Sequence, residues 1–460
     1  MDEREEYMRF LAGKAPKAKA IGIEPGAPLG PLFPFQRHCV DFALRQGRAA
    51  LFLSTGLGKT ICELEYARQA ADASNGKALI LTPLAVAWQI AAEGQRFGYD
   101  ARVIREQNEA RDGINVCNYD RLDRLDARAF GAVVLDESSI LKGFDGATSR
   151  ALIEMFSGHR FKMSATATPA PNDHMELGQQ SMFLNQMTSM EMLSKFFVND
   201  TSNASQKWRL KGHAVSSFWD WVASWARCAT MPSDLGDYDD TGFILPPLTV
   251  TRHKVQTGVV KPADGELFAA SVSATTMFDL KRQTAADRAR KIAGLVNDSP
   301  DSWIVWCDTD NEADHLCREI ECAIEVRGPH SPEVKEERLR AFADGSARIL
   351  VSKPSICGHG LNWQHCANVA FVGRTFSYEQ YFQAVRRCWR FGQKRPVNVH
   401  IAVGEGEDLI ESAVDRKADD HEKMRAEMTA AMARNMSRCA DVRVSYNPTF
   451  KGELPSWLSA

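Results

Sequence analysis

The sequence predicts two tandem α/β lobes, each a parallel sheet flanked by helices, with a helical insertion between them. Three observations predict this. Short apolar runs alternate with helical stretches over most of the 460 residues, as strands buried on both faces and joined by helical crossovers do. The alternation occurs twice, on either side of a stretch rich in Met and aromatic residues. Finally, Ala49-Ala50-Leu51-Phe52-Leu53 runs straight into Ser54-Thr55-Gly56-Leu57-Gly58-Lys59-Thr60, a glycine turn set between a buried strand and a helix.

In chain order, residues 1–30 are rich in Lys, Ala, Gly and Pro and are expected to form a loosely ordered leader. A first lobe over 31–172 opens with helical spacing from Pro34 to about Arg45. Its strands after the glycine turn are Lys77 to Pro83, Asn115 to Tyr119, Ala132 to Glu137 and Arg160 to Thr166. Residues 173–245 read as the helical insertion, with Trp208, Phe218, Trp219, Trp221 and Trp225 as its own small core rather than a base-stacking surface. Leu245-Pro246-Pro247 marks a boundary, and 246–279 is a connection. A second lobe over 280–413 has strands at Trp303 to Cys307, Ala347 to Ser352, Asn368 to Val372 and Val397 to Ile401. Residues 414–460 form a tail, helical at first.

Apolar residues make up 44% and charged residues 25%, which excludes a largely disordered chain. The formal charge of −3 means that any contact with nucleic acid must come from local basic patches. Met1-Asp2-Glu3-Arg4-Glu5-Glu6 lacks the apolar core of a signal peptide, and no apolar run approaches a membrane span. A soluble cytoplasmic protein is expected. The 11 cysteines include no Cys-x-x-Cys pair. Cys357, His359, His365 and Cys366 fit no common zinc spacing, so packed, reduced thiols are expected.

The chemistry gathers at strand ends, where ligands of parallel sheets bind. Gly56, Gly58, Lys59 and Thr60 suit a phosphate cradle, with Lys59 on the β/γ-phosphates and the Thr60 hydroxyl on Mg²⁺. The strict pattern has a glycine where Leu53 stands. Asp136 and Glu137 follow a buried strand. Phosphoryl transfer needs one carboxylate for Mg²⁺, suiting Asp136, and one to orient or deprotonate the attacking water, suiting Glu137. Downstream, Arg386, Arg387 and Arg390 lie within about one helical turn. They read either as a solvated basic face, or phosphate patch with Lys394 and Arg395, or as a source of arginine fingers at Arg387 and Arg390 for a nucleotide held by the first lobe.

The order of these motifs resembles the superfamily-two helicases and translocases, above all the compact Swi/Snf-type DNA-dependent ATPases. Phe35-Gln36 resembles the adenine-reading motif, and Gly56 to Thr60 the Walker A core. Leu81-Thr82-Pro83 with Trp88 resembles motif Ia, and Asp136-Glu137-Ser138-Ser139 the Walker B box. Ser164-Ala165-Thr166-Ala167-Thr168-Pro169 with Asn172 resembles motif III, Gly358-His359-Gly360-Leu361-Asn362 motif V, and Gln383 to Gln393 motif VI. Ser54-Thr55 departs from the branch's acidic–Met pair. The resemblance implies RecA-like P-loop lobes that use ATP and Mg²⁺. It implies ATP contacts from Phe35, Gln36, Thr55, Gly56, Leu57, Gly58, Lys59, Thr60, Gly360, Arg387 and Arg390. Nucleic-acid contacts would come from Thr82, Pro83, Trp88, Thr168, Asn172 and Ser352, and coupling from Ser164, Thr166 and Gln383. The implied partner is DNA, duplex or branched, with RNA left open and a protein partner conceivable at the Trp-rich insertion. The expected function is an ATP-driven DNA helicase or translocase. The alternatives are a slow nucleotide-dependent binding switch and the motor subunit of a nuclease or modification complex.

Overall fold

A computed structural model describes residues 17–83, 86–142, 146–170, 173–200, 207–256, 274–357, 362–404 and 408–441. Their strands form two all-parallel sheets and one hairpin. The first sheet is built from β1 (Arg48–Leu53), β2 (Lys77–Thr82), β3 (Ala101–Val103), β4 (Gly113–Asn118), β5 (Ala132–Asp136) and β6 (Phe161–Ala165), with β7 (Phe197–Asp200) and β8 (Lys207–Leu210) pairing separately as the hairpin. A seventh strand, β9 (Ala226–Ala229), completes it in the order β3-β4-β2-β5-β6-β1-β9. β5 and β1 both flank β6, in registers that align Asp136 and Leu51 with Ala165. The turns that follow these three strands therefore open side by side, which brings the glycine turn, the Asp-Glu pair and the Thr166 segment to one edge.

The second sheet contains β10 (Leu248–Val255), β11 (Trp303–Trp306), β12 (Ala323–Val326), β13 (Ile349–Ser352), β14 (Asn368–Phe371) and β15 (Val397–Gly404), in the order β10-β15-β14-β11-β13-β12. Its inner strands β11, β13 and β14 are wholly buried, as continuous apolar runs require.

Several boundaries differ from the sequence reading. The end of the leader, from Ala18 to Gly30, is tied to the first lobe. Ile21, Gly22 and Ile23 donate their N–H groups to the last carbonyls of helix Pro34–Gln46, and Leu29 and Gly26 donate to Glu65 and Gln69. The segment 173–245 is not a separate helical body. It contains β9, a strand of the first sheet, and Phe218, Trp219, Trp221 and Trp225 pack with Phe52, Leu79 and Val133 of that sheet into one core. β10 lies inside the expected connection and pairs with β15, so the second sheet begins before residue 280. The tail contains a 34-residue helix, Asp408–Asp441, that returns to the first lobe. Ten described cysteines are unbridged, and all but Cys317 and Cys322 are buried.

Candidate nucleotide site between the lobes

Gly56 and Gly58 give the turn after β1 its shape. Their φ angles of 99° and 78° lie where side chains are strained. A Cβ on Gly58 would stand 2.3 Å from Gln36 Nε2, and one on Gly56 would stand 2.9 Å from both Cβ and N of Phe391. Phe391 belongs to the second lobe, so the Gln383–Gln393 segment sits directly on the glycine turn. Gly58 leads into helix Lys59–Asp72, which has no side-chain cap. Its first N–H groups therefore have no capping side chain.

Lys59 Nζ donates to Leu53 O at 3.0 Å. Loss of solvent pushes this ammonium below the usual lysine range, while Glu137, Asp136 and Glu63 pull it back up. The Asp136 carboxylate accepts a 2.7 Å hydrogen bond from Thr82 Oγ1, and its backbone carbonyl accepts one from Tyr119 OH. Burial, and then the charge of Glu137, raises Asp136 to about 7; the Thr82 hydroxyl and Lys59 oppose the shift. Glu137 has φ 52°, an unusual backbone for a residue with a side chain. Its Oε2 accepts from Thr166 Oγ1 at 3.3 Å. Such strain at a strand end is where functional geometry is commonly stored.

The second lobe supplies the cations. Arg387 is buried, with its Nε donating to Gln383 O at 3.1 Å. Burial lowers it and the carboxylates of Glu137 and Asp136 raise it. Arg390 is pushed down to about 9 by burial, then by Arg387, against the pull of Glu93. Its positive charge depresses Lys59 in turn. Gln383 is buried, and neither end of its amide has a hydrogen-bond partner among the described residues. A further cross-lobe link joins Lys142 to Glu379, which also accepts from Thr168 Oγ1 at 3.5 Å. These residues fit a triphosphate with Mg²⁺: uncapped N–H groups, a lysine, a buried carboxyl near neutrality and two arginines gather where the lobes meet.

Other expected residues are placed differently. Gln36 Nε2 donates to Leu57 O and its Oε1 accepts from Phe33 N, both at 2.9 Å. The amide thus braces the phosphate loop in this structure instead of presenting an adenine-reading edge. Phe35 is buried against Phe243, whose ring lies 4.9 Å from Phe391. Leu57 is in the first-lobe core, while Thr55 and Thr60 are half-buried at the rim. Thr82, Thr168 and Ser352, expected to touch a nucleic-acid backbone, are 0%, 0% and 1% exposed. Each hydroxyl is turned inward, to Asp136, Glu379 and Val326 O respectively, so none is presented to a strand here. Ser164 is also wholly buried. Pro83 is half-buried, and Trp88 is 55% exposed. Asn172 and Gly360 lie outside the described residues.

Sequence reasoning missed Glu63, Glu379 and Phe391. Glu63 carried a usable signal, since it stands four residues after Lys59 and so on the same helix face. The other two lie within or beside motif VI but act across the lobes, which spacing alone does not reveal.

This arrangement defines a protein of two parallel-sheet α/β lobes with a glycine turn where they meet. Residues 287–392 match the family model of the helicase conserved C-terminal domain. Protein p41 of Acyrthosiphon pisum secondary endosymbiont phage 1 is 24% identical over 464 residues, 87% of this chain and 98% of its own. The SWI/SNF-related matrix-associated actin-dependent regulator of chromatin subfamily A-like protein 1 of Xenopus tropicalis is 31% identical over 163 residues, 32% of this chain and 17% of that protein. The mouse DNA annealing helicase and endonuclease ZRANB3 is 23% identical over 439 residues, 84% of this chain and 40% of its own length. The Sulfolobus solfataricus SWI2/SNF2 ATPase core in complex with dsDNA aligns with 88% of this chain and 96% of its own, at 18% identity and a TM-score of 0.41. The chain spans less than half the length of the two vertebrate proteins. Residues 287–392 thus resemble a helicase C-terminal domain, and the chain is similar in sequence to Swi/Snf-related proteins. Among the described residues, no helix is long and apolar enough to cross a membrane.

Proposed function

We propose that the protein is an ATP-driven motor on DNA, hydrolysing ATP in the gap between its lobes and moving along duplex DNA. One observation carries the reading: Phe391 of the second lobe stands 2.9 Å from where a Cβ on Gly56 would lie, which brings Arg387 near Glu137 and Asp136, and Arg390 near Lys59. Lys59 neutralises the β/γ-phosphates, and Glu137 orients and deprotonates the attacking water. Arg387 and Arg390 stabilise charge that develops on the transferred phosphoryl group, an effect of about 10³–10⁵ in rate for such arginines. Thr60 and Asp136 would hold Mg²⁺, which would supply Lewis-acid charge to the phosphate oxygens.

A gap completed from both sides makes the lobe angle depend on nucleotide. DNA contact is assigned to the rim beyond the strand ends, at Pro83 and the exposed Trp88, rather than to the inward hydroxyls. The similarity to a DNA annealing helicase and endonuclease supports DNA as the track. A cytoplasmic location accompanies this reading.

The test is ATP hydrolysis measured without nucleic acid and with single-stranded DNA, duplex DNA, branched DNA and RNA. Strong, salt-sensitive stimulation by duplex is expected. Hydrolysis that no nucleic acid stimulates at any salt concentration contradicts the motor and favours a binding switch.

A further inference from the structure

The helix Asp408–Asp441 begins on one lobe and ends on the other. Ile410 and Val414 pack with Tyr378 and Phe382 of the second lobe. Further along, Met424, Met428, Ala431 and Met432 sink into the first-lobe core beside Trp219, Trp221 and Trp225. Trp219 Nε1 donates to Glu427 Oε2 at 2.6 Å, and Arg434 pairs with Asp220 at 3.4 Å. His421 lies between these halves, its ring 5.4 Å from Tyr378 and 5.9 Å from Phe382.

Arg425 is one turn beyond His421. It is 5% exposed, and one of its terminal nitrogens donates to both Ser54 Oγ and Thr230 Oγ1. Ser54 is the first residue of the phosphate loop. Its N–H donates to Ala229 O at 2.9 Å, and its carbonyl accepts from Leu57 N at 3.2 Å. It is therefore the point from which the loop turns, tied at once to β9, to the loop and to the C-terminal helix. The other terminal nitrogen of Arg425 lies 3.6 Å from Glu422 Oε1, and a guanidinium so buried has given up water for fixed geometry, so its displacement shifts those partners.

We propose that Arg425 is a positioning residue for ATP hydrolysis. Acting through Ser54, it holds the phosphate loop in its nucleotide-binding shape. Because its helix starts on the second lobe, the loop's grip depends on where that lobe sits. The proposal rests on the reading of the gap as an ATP site.

The experiment measures the dissociation constant of a fluorescent ATP analogue, with steady-state KM and kcat, for the full chain. The variants are Ser54→Ala, Arg425→Met, Arg425→Lys, the double variant S54A/R425M, and Lys59→Ala as a control. Ser54→Ala and Arg425→Met are each expected to weaken nucleotide binding about tenfold, roughly the worth of one charged hydrogen bond. The double variant should be no worse than the weaker single one, since both remove the same contact. Arg425→Lys should recover part of the loss. Losses that multiply in the double variant, or an unchanged affinity in Arg425→Met, overturn the proposal. Where Arg425→Met fails to fold, Ser54→Ala decides: full affinity in that variant also overturns it. If Lys59→Ala binds the analogue as tightly as the unaltered protein does, the ATP-site reading fails, and the proposal falls with it.

Discussion

Glu63 is wholly buried on the helix that follows the phosphate loop, and neither carboxyl oxygen has a hydrogen-bond partner among the described residues. Burial, reinforced by Asp136, holds this carboxyl well above its ordinary value of 4.5. It is therefore protonated in the folded chain at pH values where the unfolded chain ionises it, and folding takes up a proton. The sign follows directly. Stability associated with Glu63 is fully present below pH 4.5 and is lost as pH rises toward the folded pKa. The loss is about 1.4 kcal/mol per pH unit. Glu63→Gln keeps the shape and removes the titration. In urea unfolding, the variant should gain steadily on the unaltered protein as pH rises from 4.5 toward neutrality. An amide without a partner of its own adds a constant offset and leaves the slope untouched. A difference that stays flat or narrows over this interval would refute a neutral Glu63.

Thr82→Val removes the hydroxyl that favours ionised Asp136. The group, already near 7, should rise further, moving the acid limb of the kcat/KM profile for ATP to higher pH. An unmoved limb, or one displaced to lower pH, contradicts this. Gly56→Ala puts a methyl group 2.9 Å from Phe391 and adds backbone strain at φ 99°. Turnover should fall steeply while far-UV circular dichroism is retained, and hydrolysis at the unaltered rate would show that the second lobe does not rest on the loop. Lys142→Ala removes the link to Glu379 and should widen the spread of lobe separations seen by paired fluorescent labels; an unchanged spread argues against that link as a restraint.

The double-sheet architecture was legible because β1, β2, β5 and β6 are almost wholly buried, and such strands appear in sequence as unbroken apolar runs. β9 escaped notice because it is a four-residue strand, Ala-Arg-Cys-Ala, with no apolar run. β10 is an edge strand whose exposed Thr249, Arg252 and Lys254 conceal its period. The glycine turn, the carboxylate pair and the arginines were legible because their spacing is local. The inward hydroxyls of Thr82, Thr168 and Ser352 were not, since which way a strand-end side chain points is decided by neighbouring strands. Arg425 meets Ser54 across 371 positions, a distance that no local pattern can bridge.

Arg387→Ala tests the shared gap most directly, with binding of a fluorescent ATP analogue and single-turnover hydrolysis measured on the same preparation. Nucleotide affinity should stay close to that of the unaltered protein, while the hydrolysis rate drops by about a thousandfold or more. Undiminished hydrolysis would contradict catalysis completed by the second lobe, and loss of analogue binding would contradict a role confined to the transition state.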